Sequence, residues 1–85
     1  MAKEKEIGKV THYFTKIGVA GIDLTDNLNA GDNIHVKGHT SDFTQSVDSM
    51  QIDNESVEKA GKGDSIGLKV PEHAREGDTV YKESE

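Results

Sequence analysis

The dipeptide Gly-Asp occurs three times, at Gly31-Asp32, Gly63-Asp64 and Gly77-Asp78, each time directly ahead of a segment with strand character. Glycine takes positive φ where a chain reverses, and the aspartate that follows can cap the turn through its side chain. Asp32–Gly38 then places Ile34 and Val36 on one face and Asn33, His35 and Lys37 on the other, the signature of a half-buried strand. Ile66, Leu68 and Val70 repeat the alternation until Pro71 stops it, and a last strand runs roughly from Asp78 to Lys82. These are marks of repeated strand entry, not of catalysis.

The rest of the chain fits the same reading. Glu6–Phe14 is rich in β-branched and aromatic residues and predicts a strand. Residues 1–5, charged and unpatterned, read as a flexible tail, residues 83–85 as an acidic tail, and 6–82 as one domain. Within Ile17–Leu24, Val19, Ile22 and Leu24 change parity, which predicts a bulge near Ala20-Gly21. Leu28, alone among polar residues, reads as a plug over one end of a core, and Ala30 and Ala74 as further closures. Phe43 and Val47 share a parity that Met50 and Ile52 then abandon, so a bulge or bend falls between them. Tyr13 and Phe14 are consecutive and must face opposite ways; Phe14 is assigned to the core and Tyr13 to the surface, as a rim residue that covers the barrel end or else stacks on a base. A turn around Ser56–Ala60 is the one helical candidate. The pattern is that of an all-β barrel or sandwich, and closure into a barrel removes exposed edges.

Composition narrows the chemistry. The absence of cysteine excludes thiolate metal sites, thiol catalysis and a disulfide scaffold. A net charge of −6 argues against indiscriminate phosphate binding, yet residues 1–16 carry four lysines against two glutamates, a local +2. No apolar run approaches membrane-spanning length and the first residues lack the apolar core of a signal peptide, so a soluble, cytoplasmic domain without a membrane partner is expected. His35 and His39 share strand parity, but an extended strand sets them roughly 13 Å apart, and His12, His73 or Asp42 would have to fold in as a third ligand; no metal is expected. No nucleophile elbow or ordered triad is visible, so neither enzymatic activity nor a cofactor nor a small-molecule substrate is expected.

The order I-G-K-V-T-H-Y-F, I-G-V-A-G-I-D-L, L-N-A-G-D-N-I-H-V-K-G, S-V-D-S-M-Q-I, V-E-K-A-G-K-G-D-S-I-G-L and R-E-G-D-T-V-Y resembles the second domain of translational GTPases such as elongation factor Tu, over about residues 6 to 82. The resemblance implies a small closed six-stranded Greek-key barrel. Similar barrels also occur at the C-terminus of some collagenase-like peptidases. Gly61-Lys62-Gly63-Asp64-Ser65 does not have the spacing of a phosphate loop, so the barrel stands without a GTPase motor. The positions aligned with polar contacts to aminoacylated tRNA are Ala20, Gln51 and Ser65; Ala20 offers no side-chain hydrogen bond and Gln51 no charge, which argues against that ligand. The resulting expectation is a non-catalytic, translation-related binding module whose partner is ribosomal RNA, the ribosome or a translation-related protein. Its candidate contacts are Lys9, Tyr13, Lys16, Gln51, Lys59, Lys62 and Ser65, with Lys69 adding to the basic surface. The alternative, favoured by the acidic balance, is an adaptor docking on a separate protein chain with no RNA contact.

Overall fold

The computed structural model describes residues 3–39, 42–48, 50–53, 55–71 and 73–84. Ten strands follow one another: β1 (Lys3–Phe14), β2 (Val19–Leu24), β3 (Leu28–Asn29), β4 (Asn33–Lys37), β5 (Asp42–Ser46), β6 (Met50–Ile52), β7 (Glu55–Val57), β8 (Lys59–Ala60), β9 (Ser65–Lys69) and β10 (Thr79–Ser84). Eight form one antiparallel sheet in the order β5-β4-β10-β1-β2-β9-β6-β7, and β3 and β8 form a separate two-stranded ribbon. No helix of the described residues is long and apolar enough to cross a membrane.

The expected all-β class is present, but not the closed six-stranded barrel. Among the described residues the end strands β5 and β7 have one neighbour each, so the sheet is curled and open. Its curl follows from where the apolar side chains go. Ile7, Val10, Ile22, Ile34, Val36, Met50, Leu68 and Val80, from six of the eight strands, are buried in a single core. A flat sheet cannot bring them together. The curl carries β5 close to β9, where Gln45 Nε2 donates to the Lys69 carbonyl at 3.0 Å.

β1 supplies the bend. It pairs with β10 from Lys3 to Lys9 and with β2 from Gly8 to Phe14, and its register slips twice, between Glu6 and Gly8 and between Val10 and His12. Each bulge adds local twist and turns the strand toward a new partner. The strand also begins earlier than expected: Lys3–Lys5 pair with Ser84–Lys82 and are not a tail. The bulge expected in β2 is absent. Ala20, Ile22 and Leu24 alternate inward without a break, and the irregularity lies opposite them in β1. Its consequence is a reversed assignment for the aromatic pair. Once the strand has slipped, Tyr13 packs against the core and Phe14 is 47% exposed.

Val47, just after β5, and Met50, the first residue of β6, are both buried, which accounts for their change of parity. The proposed helical turn at 56–60 is instead the end of β7 and the strand β8. Leu28 and Ala74 are completely buried, as closures should be, whereas Ala30 is exposed.

The three Gly-Asp turns share one construction. Gly31, Gly63 and Gly77 have φ of 95°, 91° and 92°. In each turn the aspartate amide donates to the carbonyl three residues back, at 3.1, 3.0 and 3.1 Å. Its carboxylate accepts the amide of that same residue: Asn29 by Asp32 at 2.8 Å, Gly61 by Asp64 at 2.8 Å, and Arg75 by Asp78 at 2.9 Å. A buried residue precedes each turn (Leu28, Ala60, Ala74) and another follows two positions after the aspartate (Ile34, Ile66, Val80). The motif therefore ties strand entry to core insertion on both sides.

Asp78 is buried, and Gly38 makes room for it: a Cβ at Gly38 would overlap the Asp78 carboxylate. Removing a buried acceptor strands its donor, so Asp78→Ala is expected to cost about 2 kcal/mol. Asp32→Ala and Asp64→Ala, at partly exposed turns, are expected near ~1 kcal/mol. Gly38→Ala must displace the carboxylate altogether and is expected to cost at least as much as Asp78→Ala. Urea unfolding of the four variants checks this order; equal losses for the three aspartates contradict it.

Candidate docking face

The register of β1, β2, β9 and β6 lays the outward residues in three rows. The first is Lys9, Asp23 and Ser65, with Ser65 Oγ donating to Asp23 Oδ1 at 2.6 Å. The second is His12, Gly21, Gly67 and Gln51, where the hydroxyl of the bulged Thr11 donates to the Gly21 carbonyl at 3.3 Å. The third is Phe14, Val19 and Lys69. His12 and Phe14 lie on this face with ring centroids 4.6 Å apart. In the turn that follows, Ile17 is 62% exposed.

The two glycines in the middle row are unusual for their position. Glycine weakens a strand through its backbone entropy and missing side chain. Neither Gly21 nor Gly67 has a positive φ, and a Cβ on either would meet its nearest neighbour at 3.5 and 3.4 Å, ordinary contact distances. The fold does not demand glycine at either place. Side by side, they leave bare backbone between a polar row and an apolar one, the surface that another polypeptide can approach closely.

Of the residues singled out from sequence, Lys9, Ser65 and Gln51 lie on this face. Lys59 and Lys62 are exposed in β8 and in the Gly61–Asp64 turn, at the Ser65 end. Lys59 borders a polar cavity of about 400 Å³ with Asn27, Asn29, Ala60, Gly61 and Asp64. Lys16 is exposed beyond the opposite end of β1, and Tyr13 faces inward with its ring 4.3 Å from that of His73. Sequence reasoning missed His12, Phe14, Ile17, Gly21 and Gly67. The available signal was two glycines within strand-like segments that lack turn chemistry.

A second cluster does structural work. His35 of β4 stands between Glu4 of β1, whose Oε2 is 2.6 Å from Nδ1, and Asp42 of β5, which contacts Nε2. The carboxylates sit at opposite edges of the ring and join three strands; they do not converge on an open point. His39 is exposed, and no group of three His, Asp or Glu among the described residues could hold a metal ion. The Asp42 contact, and the Glu4 contact after it, hold His35 protonated above its usual range against the opposing effect of burial.

Comparison with known proteins redirects the functional reading. No family model matches the chain. It is 43% identical over 77 residues to an uncharacterised protease of Methanocaldococcus jannaschii, and 35% identical over 78 residues to a collagenase of Porphyromonas gingivalis. The matches cover 89% of this chain but 19% and 22% of those relatives, so the chain spans about a fifth of their length. Two solved structures of the C-terminal domain of a Geobacillus thermoleovorans protein named as a U32 peptidase superpose with TM-scores of 0.84 and 0.85. They cover 89% and 92% of this chain, and this chain covers 96% and 91% of theirs, at 18% and 20% identity, which speaks for the fold.

These findings overturn the translational-GTPase reading, and with it the expected RNA contact and the ribosomal or translation-related partner. The alternative of an adaptor on a separate chain and the expectation of no enzymatic activity give way as well, because the relatives are named as a protease and a collagenase. The resemblance rested on ordered sequence segments that mark how a chain builds strands and turns, and such a fold serves many functions.

The His35 cluster makes a pH prediction. Its folded pKa is raised, so its stabilisation is complete below the unfolded value near ~6.5 and is lost as pH rises through the folded value. The urea midpoint of wild type is expected to exceed that of His35→Gln at pH 6, with the gap narrowing by pH 9. A gap independent of pH contradicts the assignment.

Proposed function

We propose that the chain is the β-domain of a U32-peptidase-like protein and that its outer face packs against the peptidase body. The observation that carries this is the pair Gly21 and Gly67, bare backbone that the fold does not require, set beside exposed Phe14 and Ile17. Support comes from the relatives, named as a protease and a collagenase, in which the matched segment is about a fifth of a longer chain. The substrate class of the whole protein under this reading is polypeptide, collagen included. A chain without cysteine suits a cytoplasmic place of work.

The test uses the Methanocaldococcus jannaschii relative from which the matched segment has been removed. Mixed with this chain, it is expected to co-elute on size exclusion and to regain any gelatin hydrolysis that removal abolished. Gly21→Ala and Gly67→Ala are expected to leave the fold as stable or about 0.5 kcal/mol more stable, while weakening co-elution at least tenfold. Phe14→Ser combined with Ile17→Ser is expected to weaken it similarly with little change in urea midpoint. Failure to co-elute, or glycine variants that bind as well as wild type, counts against the proposal.

A further inference from the structure

The open side of the sheet holds a second feature. Where β5 ends and β9 runs out, a half-open groove of about 490 Å³ is lined by Gln45, Ser46, Asp48, Lys69, Val70 and Pro71. That volume lies within the roughly 300–1,000 Å³ typical of ligand sites. One wall is an end strand, β5, paired on one side with β4 alone among the described residues. A strand with one neighbour leaves part of its backbone N–H and C=O groups unpaired and directed away from it. The other wall is the end of β9, where the Val70 amide turns away to the Gly18 carbonyl and Pro71 has no amide to offer.

One side chain spans the gap. Gln45 Nε2 donates to the Lys69 carbonyl, doing with a side chain what a neighbouring strand would do with its backbone. Its Oε1 is buried and has no hydrogen-bond partner among the described residues. A buried acceptor without a donor is unfavourable and calls for an N–H. The groove thus lies along a strand that is unpaired on one side among the described residues and against Gln45 with its unsatisfied buried acceptor, with an apolar floor at Val70 and Pro71 and charges of both signs from Asp48 and Lys69 at the rim.

From this we infer that the groove binds a short extended polypeptide segment by strand addition to β5, with a peptide N–H donating to Gln45 Oε1. The occupant is extended because only a chain with free backbone groups matches an unpaired edge. Side-chain selectivity is low, since the lining offers one apolar patch and no deep pocket. The site is separate from the glycine face and meets it at Lys69.

The experiment uses the chain alone, so its failure is distinguishable from failure of the docking reading. A capped pentapeptide of alternating serine and valine is titrated into isotope-labelled protein, followed by amide chemical shifts, beside the same peptide with methylated backbone nitrogens. Shifts concentrated at Gln45, Ser46, Asp48, Lys69 and Val70 are expected, with at least tenfold weaker binding of the methylated peptide. Gln45→Trp, which fills the groove, is expected to abolish binding, and Gln45→Met, which removes the acceptor, to weaken it about fivefold. The fold of each variant is read from its own amide spectrum. No shifts at millimolar peptide, shifts confined to another face, or equal binding of the methylated peptide overturns the inference, and these readouts need no variant.

Discussion

The core of this domain depends on β1 changing partners without leaving the sheet. A regular strand of twelve residues would present one face throughout and give the core a flat wall. Two register slips let Ile7, Val10 and Tyr13 all point inward although their spacing is odd, and they turn the strand from β10 to β2. With a core this small, the curl of the whole sheet follows from that strand. The Glu4–His35–Asp42 bridge then fastens its beginning to β4 and β5.

The strand entries were legible in the sequence because their chemistry is local. Gly31, Gly63 and Gly77 need positive φ, and Asp32, Asp64 and Asp78 reach an amide only three residues away. Ile34 with Val36, and Ile66 with Leu68, faced the core as their alternation indicated. Tyr13 and Phe14 were assigned the wrong way round for a nonlocal reason. The slip at Thr11 lies in the ladder with β2, beyond the last pair with β10, and nothing in residues 7–14 records where those partners sit. The Gln45 bridge and the His35 bridge were hidden likewise, since each joins residues from strands that meet only after the sheet has curled.

Function rests on different features from those that build the fold. Turn motifs and strand order describe how a chain makes a curled sheet, and unrelated proteins use that solution for different ends. What separates them is which outward positions are left bare. Gly21 and Gly67 are forty-six positions apart in sequence and become neighbours only through the pairing of β2 with β9. In the sequence Gly21 reads as part of a bulge and Gly67 as one position in an alternation; on the sheet they make a surface.

The ladder between β1 and β10 sets Lys3 opposite Ser84, so the first and last described residues share one rung. A longer polypeptide attached at both ends would enter and leave at a single point. Tension between those ends would act on that rung alone and part the two strands one hydrogen bond at a time, like a zip. Sliding them past each other would load every bond at once, but this geometry does not do so. Pulled along the line joining its described ends the domain is therefore mechanically soft, and one residue in from Lys3 the contact of Glu4 with His35 resists such a pull.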